Sequence, residues 1–525
     1  MNPGILLIIL MCLVAKPLFG QTKLRKMPSS INRPSTDNFA PYISFDGTTL
    51  VFIASVGDDD ALTMCMARRE GVNWNDPILL PKVVNNHLNF LKGFALSTDG
   101  KTLYLTTSKA AGLGGFDLYT SQLSGNSWGE PVNMGLPVNT SSNEGSPSLS
   151  IDGNALFFMR CDKMDFAKAD NCKLMIMTKK PNGRWDDPQE LPPFINTGNS
   201  QTPRIMGDGE MLVFSSNKLQ PNKGGMDLYF TKLIEEKWNN PLPLDFVNTP
   251  GDDQYVSTTL LGRYLTRDMP GQAHSELAEV LFPSEVRPKG VMRIEGTVTG
   301  PGDPSTVFVS AFNMKDQSRV FSTKPEKDGT FVAYIKEGGL YDLSVEPEKD
   351  NYTFFSKRFD LTGEKFSLVE KVSINLKPAS SGDEVALEGI SFKANSHEIN
   401  PSSNQELRRL TRMIQGNPDK SFSVLVTLAG YEKDSVRSNP DLTEVIIDTL
   451  KFPTQFKIDS LTMGTRDSLV IKQTYHNDRT LQQAKTIGEY LINAGIPAGH
   501  IACSGKAQPE AILENRKTHV KIVIH

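Results

Sequence analysis

At 525 residues the chain exceeds what one hydrophobic core can organise, so three or more domains are expected. Apolar residues make up 38% and charged residues 22%, ordinary values for a globular protein, and the formal net charge of −4 leaves no excess of cations to displace counterions from phosphate. These figures argue against nucleic acid as a partner.

The first twenty residues hold an uninterrupted apolar run, Ile5 to Val14, followed by Lys16, Pro17 and Gly20. That run is too short to span a bilayer and reads as a cleaved secretory signal over residues 1–20. Cys12 lies inside it without the small residues that a lipoprotein cleavage site places before its cysteine, which argues against lipidation. The mature chain is then expected outside the cytoplasm, where disulfides are tolerated. Cys65, Cys161, Cys172 and Cys503 fit no zinc-binding spacing. Cys161 and Cys172 flank one loop, so they either pair or act as small buried apolar residues.

Residues 21–283 repeat themselves. Trp74-Asn-Asp-Pro77, Trp128-Gly-Glu-Pro131, Trp185-Asp-Asp-Pro188 and Trp238-Asn-Asn-Pro241 recur at steps of 54, 57 and 53 residues. Asp46-Gly47, Asp99-Gly100, Asp152-Gly153 and Asp208-Gly209 keep the same beat, as do Asn85, Asn139, Asn196 and Asn248. Each Asp-Gly pair sits between two short apolar runs, the grammar of a hairpin, and two hairpins per unit of roughly 50 residues make a propeller blade. A worn fifth copy at Gln254–Thr266 carries Gly262 in place of the turn pair. The expectation is a five-bladed β-propeller, or six-bladed if residues 22–34 supply strands that close the ring. Trp74, Trp128, Trp185 and Trp238 are expected to pack between blades, since a large indole recurs at one place per unit.

Gly114-Gly-Phe-Asp-Leu-Tyr119 and Gly224-Gly-Met-Asp-Leu-Tyr229, each followed by Trp-x-x-Pro and by Val-Asn-Thr at 138–140 and 247–249, resemble the WD-type, TolB-like propeller repeats of bacterial envelope proteins. The resemblance covers about half of the chain and implies a binding module. The first repeat departs from it at Asp60-Ala-Leu-Thr. The acidic stretch Asp58-Asp59-Asp60 reads as a solvated turn, because no Gly-spaced ligand series follows it. The seven histidines are scattered, and neither His-Glu-x-x-His nor Gly-x-Ser-x-Gly occurs. No catalytic set, metal site or cofactor is therefore assigned, and the chain is expected not to be an enzyme.

After a linker at Pro283–Lys289, residues 290–378 alternate in short strands with Gly turns, as in Met292–Thr299, Thr306–Phe312, Phe331–Ile335 and Tyr341–Val345. This is the pattern of a small β-sandwich. Glu295-Gly-Thr-Val298, Asp328-Gly-Thr-Phe331 and Gly339-Leu-Tyr-Asp-Leu343 resemble the carboxypeptidase-regulatory-like domain, a non-catalytic spacer, with another Ig-like sandwich as the alternative.

Residues 383–525 open at the polar Ser380-Ser-Gly-Asp383 and change to a strand-then-helix grammar. A strand is expected at Val385–Phe392, then a helix burying Leu407, Leu410, Met413 and Ile414, and a strand through Phe422, Val424, Val426 and Leu428. A second helix uses Leu481, Ala484, Ile487 and Leu491, and strands at His500–Ser504 and Val520–Ile524 complete an α+β split sheet. Ile390-Ser-Phe392, Asn400-Pro401, Gly430-Tyr431, Glu489-Tyr-Leu491, Gly495-Ile-Pro497 and Gly505 resemble the OmpA-like peptidoglycan-binding domain. That resemblance implies an Asp after the first long strand and an Arg on the second helix that grip a zwitterionic diamino acid. Here the Asp position falls on Lys433, with Asp434 one residue beyond, and the Arg position falls on Gln483. An insertion over about 435–473, with the apolar stretches Val445-Ile-Ile447 and Leu469-Val-Ile471, is expected to add strands or a flap.

The whole is a multidomain, mainly β chain. Its leading reading is a non-catalytic periplasmic scaffold, associated with the outer membrane, that binds envelope proteins and docks near the cell wall. By resemblance in build it would belong to a secretion or gliding assembly of the type IX kind. A peptidoglycan anchor using Asp434 and a carbohydrate-binding or carbohydrate-cleaving propeller are the alternatives.

Overall fold

Three of the four Asp-Gly pairs build their turns in one way. Asp46, Asp99 and Asp152 each accept a backbone N–H from two residues on (Thr48, Lys101 and Asn154, 3.0 Å each). A serine two residues earlier donates to the same carboxylate while accepting the N–H of the returning strand. The glycines that follow lie at φ +73°, +67° and +67°, a conformation that favours glycine. Local chemistry thus fixes the turns of these three hairpins without help from neighbouring blades.

The computed structural model describes residues 24–525 except 57–60, 87–92, 110–111, 166–167, 181, 272–273, 349–351, 364–365, 367, 394–395, 432–443, 459–462, 477 and 510–516. It divides into two units, the first ending at Val291 and the second beginning at Met292. In the first unit, β1 (Leu24–Lys26) precedes four antiparallel sheets. These are β2 (Asn38–Ile43), β3 (Thr49–Val56) and β4 (Ala61–Glu70); β5 (Phe94–Leu96), β6 (Thr102–Thr107) and β7 (Asp117–Ser124); β8 (Asn143–Leu149), β9 (Ala155–Met164) and β10 (Ala169–Thr178); and β11 (Ser200–Ile205), β12 (Met211–Ser216) and β13 (Asp227–Ile234). Each sheet ends in one or more two-residue edge strands.

A fifth sheet comprises β14 (Tyr264–Pro270) and β15 (Ser275–Leu281), with a bridge from Ser257 to Thr266 in the innermost position. Gly262 makes its turn at φ +61°. The strand from the 22–34 stretch does join the ring, but as the outer partner of β15 in the fifth sheet, so there are five blades. Packing runs from each blade to the next and returns to the start. One apolar cluster joins blades one to three, a second joins three and four, and a third joins four and five. The last sets Met27 and Leu277 against Ile43, Phe52 and Trp74, joining five to one.

The indoles lie in these seams. Trp74 and Trp128 are buried within clusters, Trp185 packs against the first cluster, and Trp238 meets Phe157 of the preceding blade edge-on at 6.2 Å. Cys161 and Cys172 form a disulfide across β9 and β10. Cys65 is buried, which pushes its thiol up to about 11, and Cys503 is half-buried.

The second unit starts with a sandwich. Its strands are β16 (Val291–Thr299), β17 (Val307–Asn313), β18 (Arg319–Thr323), β19 (Thr330–Lys336), β20 (Leu340–Pro347), β21 (Phe355–Asp360) and β22 (Val369–Asn375). They form the sheets β19-β16-β22 and β18-β17-β20-β21 over a core that includes Ile294, Val298, Val309, Ala311, Ala333, Leu343 and Val345.

The α+β part follows as β23 (Glu384–Ala386), α1 (Asn404–Gln415), β24 (Phe422–Tyr431), β25 (Glu444–Lys457), β26 (Met463–His476), α2 (Thr480–Asn493), β27 (Ile501–Pro509) and β28 (Lys517–Ile524). Its main sheet has the order β23-β28-β24-β27, with β24 and β27 parallel. The expected strand at Val385–Phe392 stops at Ala386. Ile390 turns back onto the carbonyl of Leu387, and the N–H of Gly389 goes to the Glu406 carboxylate at 3.3 Å instead of to a ladder. Leu407, Leu410, Met413 and Ile414 of α1 and Ala484, Ile487 and Leu491 of α2 are buried, whereas Leu481 is 43% exposed and lies outside the core.

Candidate interaction surfaces

The repeated asparagines extend the ladders. The side-chain oxygen of Asn85, Asn139, Asn196 and Asn248 accepts the N–H of Met64, Leu118, Leu174 and Leu228, at 2.9, 2.8, 2.8 and 2.8 Å. The side-chain NH2 of each donates to the carbonyl of the same residue. One amide therefore substitutes for a strand residue, which explains why it recurs once per blade.

The Gly-Gly-x-Asp-Leu-Tyr phrase has a steric cause. A Cβ on Gly114 would stand 1.8 Å from the carbonyl oxygen of Ser142, and one on Gly224 would stand 2.1 Å from that of Pro250. The aspartates of the phrase tie down the same loops. Asp117 accepts the N–H of Leu113 and Gly114, and Asp227 accepts that of Lys223. Two further carboxylates, Glu144 and Asp253, are buried in ion pairs with Arg160 at 2.8 Å and Arg267 at 2.7 Å, and they also hold Thr140 and Thr249. These repeated acids are thus engaged in tying loops to the blades beside them.

The axis of the ring is filled by one residue that the sequence reading missed. Arg204 lines it together with Tyr42, Ser148 and Ser257 from three other blades, around a cavity of about 10 Å³, room for one water. Its guanidinium lies over the Tyr42 ring at 4.6 Å and donates to the carbonyls of Val256 at 3.0 Å and Phe94 at 3.4 Å, so from blade four it reaches blades one, two and five. Burial lowers the Arg204 pKa and raises that of the Tyr42 hydroxyl, which donates to the Leu96 carbonyl at 3.0 Å.

The outer rim differs. In the W-x-x-P phrase the residue after proline opens an edge strand, and it is Ile78, Val132 and Leu242 in blades one, two and four. They are 64%, 64% and 56% exposed, so the same apolar position faces water three times around the ring.

In the second unit, Lys433 and Asp434 lie outside the described residues, as does the Asp58–Asp60 stretch of the first. Gln483 is buried on α2 beside Ala484 and Ile487. No residue set for a diamino acid can therefore be assembled from the described positions. A charge cluster joins α1 to the sandwich instead. Arg409, 2% exposed, pairs with Asp342, with Glu406 at 2.8 Å and with Glu346 at 3.1 Å, and Arg412 adds a second contact to Glu346. Burial would lower the Arg409 pKa, but the three carboxylates outweigh it and the net shift is upward. The Glu406 pKa is raised, first by burial and then by Asp342, against the pull of Arg409 and Ser356.

The described part of the insertion forms β25 and β26, an antiparallel ribbon paired from Glu444↔His476 to Lys457↔Met463, a two-stranded sheet among the described residues.

No family model matches the chain, and no curated protein matches it. Among solved structures it is similar to a putative TolB from Agrobacterium tumefaciens, at 13% identity and a TM-score of 0.30, over 60% of this chain and 99% of that one. It is also similar to the catalytic domain of a GH62 α-L-arabinofuranosidase from Coprinopsis cinerea, at 10% identity and a TM-score of 0.31, over 49% of this chain and 95% of that one. An oligogalacturonate lyase in complex with manganese aligns at 11% identity and a TM-score of 0.30, over 50% of this chain and 94% of that one. At such scores the likeness carries no functional argument. The propeller assignment rests on the sheets and seams above.

Proposed function

We propose that this protein is a non-catalytic adaptor of the cell envelope whose propeller rim binds other proteins. The observation that carries the reading is the recurrence of Ile78, Val132 and Leu242, exposed at one repeat position on edge strands that pair on one side only among the described residues. Unpaired edges beside apolar side chains suit the addition of partner strands or loops. The commitment of the repeated carboxylates to blade contacts and the filled axis support binding over catalysis. The envelope location rests on the signal-like first twenty residues and the resemblance of the repeats.

The test is recovery of partners from an envelope extract by the mature chain and by an Ile78→Lys, Val132→Lys, Leu242→Lys triple variant. Each position is exposed, so the variant keeps its fold by circular dichroism. At least tenfold weaker recovery by the variant is expected. Equal recovery by both, or none by either, overturns the rim reading. Sugar-specific cleavage in a polysaccharide screen would overturn the non-catalytic part.

A further inference from the structure

Among the described residues, nothing pairs with the outer edges of the β25–β26 ribbon. Each strand is 14 residues long, about 47 Å at the usual rise, and among the described residues the sheet has no third strand. Two-stranded ribbons are marginal in water on their own. This one also exposes Leu469, Val470 and Ile471 in succession, at 63%, 48% and 66%. Consecutive strand residues point to opposite faces. A partner lying on one face would leave part of this run in water, whereas a strand added alongside flanks it on both faces.

The two edges are not equivalent. Pro453 sits in the middle of β25, opposite Asp467, in an unbroken ladder. Proline has no N–H, so it fits such a ladder only where its nitrogen faces away from the partner strand. The outer edge of β25 therefore lacks a donor at Pro453. By the alternation of the antiparallel ladder, Thr465, Asp467, Leu469 and Ile471 turn their N–H and C=O groups to the outer edge of β26. That edge has no proline and carries the exposed run.

We propose that the free edge of β26 pairs antiparallel with the same edge of a second copy of this chain. The product is a four-stranded sheet with the two β26 strands at its centre. The fit is self-complementary. A two-fold axis normal to the sheet at Val470 sets Val470 against its own equivalent, in a pair without hydrogen bonds, and sets Leu469 against the partner's Ile471. The outward backbone groups of Leu469 and Ile471 then face each other. Moving the axis one residue either way leaves only one apolar residue facing its like, and one of those moves sets Ile471 against Asp467. Both outer edges of the new sheet carry Pro453, so the pairing closes at two copies and does not run on into a fibre. This inference does not depend on the rim reading, because it concerns a different unit and a different partner.

The test is sedimentation of the mature full-length chain together with an Ile471→Pro variant. Ile471 turns its N–H outward, so the proline removes a donor from the interface and none from the ribbon's own ladder. A dimer for the wild type and a monomer for the variant are expected, with the same far-ultraviolet spectrum. Val470→Cys in a Cys503→Ser background should give a disulfide-linked dimer on mild oxidation, since directly opposed Cβ atoms in such a pair lie about 4.5–5.5 Å apart. A monomeric wild type, as expected if the ribbon binds only a different protein or a membrane, overturns the proposal. So does a dimer that survives Ile471→Pro.

Discussion

The propeller and the α1–sandwich junction solve the same problem, keeping elements in register, by opposite means. In the ring, Asn85, Asn139, Asn196 and Asn248 make the same two-hydrogen-bond contact in four blades, so the load is divided. At the junction, one guanidinium takes three carboxylates in a nearly dry site, and nothing repeats it. Repetition divides the cost of losing a contact, and a unique buried charge concentrates it.

The sharpest way to break this contrast is Arg409→Met. Removing one partner of a buried ion cluster leaves Asp342 and Glu406 uncompensated, and a loss of about 3–5 kcal/mol from the second unit is expected in a denaturant titration. Adding Asp342→Asn and Glu406→Gln should restore most of it, because the isolated charges cause the loss. A cost under about 1 kcal/mol for the single change would mean that the cluster does not concentrate stability.

Asn248→Ala should cost the first unit less, about 1–3 kcal/mol for leaving Leu228 short of its partners. The same change at Asn139 or Asn196 should agree with it to within about 1 kcal/mol. One asparagine that dominated the others would show that the blades are not equivalent.

The smallest expected effect is on pH dependence, where the two regions have opposite signs. The Glu406 pKa is raised in the folded state, so its contribution is fully present below the ordinary glutamate value of about 4.3 and is lost as pH rises through the folded value. Asp37 is lowered, first by the N–H of Ser275 across the seam between blades one and five; burial opposes this, and His274 adds to the lowering. Its contribution is present above about 3.9 and is lost as pH falls through the depressed value. Calorimetry from acid to neutral pH should show Glu406→Gln flattening the slope of the second unit and Asp37→Asn flattening the acid limb of the first. Parallel slopes in both units would remove the contrast.

What was legible in the sequence follows the same division. The Asp-Gly turns, the tryptophans and the asparagines each owe their place to contacts within a blade or to the next one, so repetition of the residue announced repetition of the structure. Arg204 occupies a position filled by Tyr42, Ala95, Ser148 and Ser257 in the other blades. A column that mixed needed alignment at the Pro41, Pro147 and Pro203 neighbours before a lone arginine stood out. Arg409, three residues after Glu406, reads as half of a solvated helix pair, and only the sandwich makes it buried. The ends of the 385–392 stretch and the exposure of Leu481 were likewise set by what lies across from them. In the insertion the apolar runs gave strands, but their spacing does not say that the two strands would pair with each other instead of extending the main sheet.

Closure of the ring by β1 also has a cost in time. Arg25 and Glu279, which meet across this seam, are 254 residues apart in the chain. At a synthesis rate of about 5–20 residues per second, the nascent β1 waits on the order of 10–50 seconds for β15 to be made. Through that interval every finished blade is held only by its neighbour, and the first blade presents an uncovered flank. A chaperone that shields early segments would therefore act chiefly on the opening blade, the one made first and sealed last.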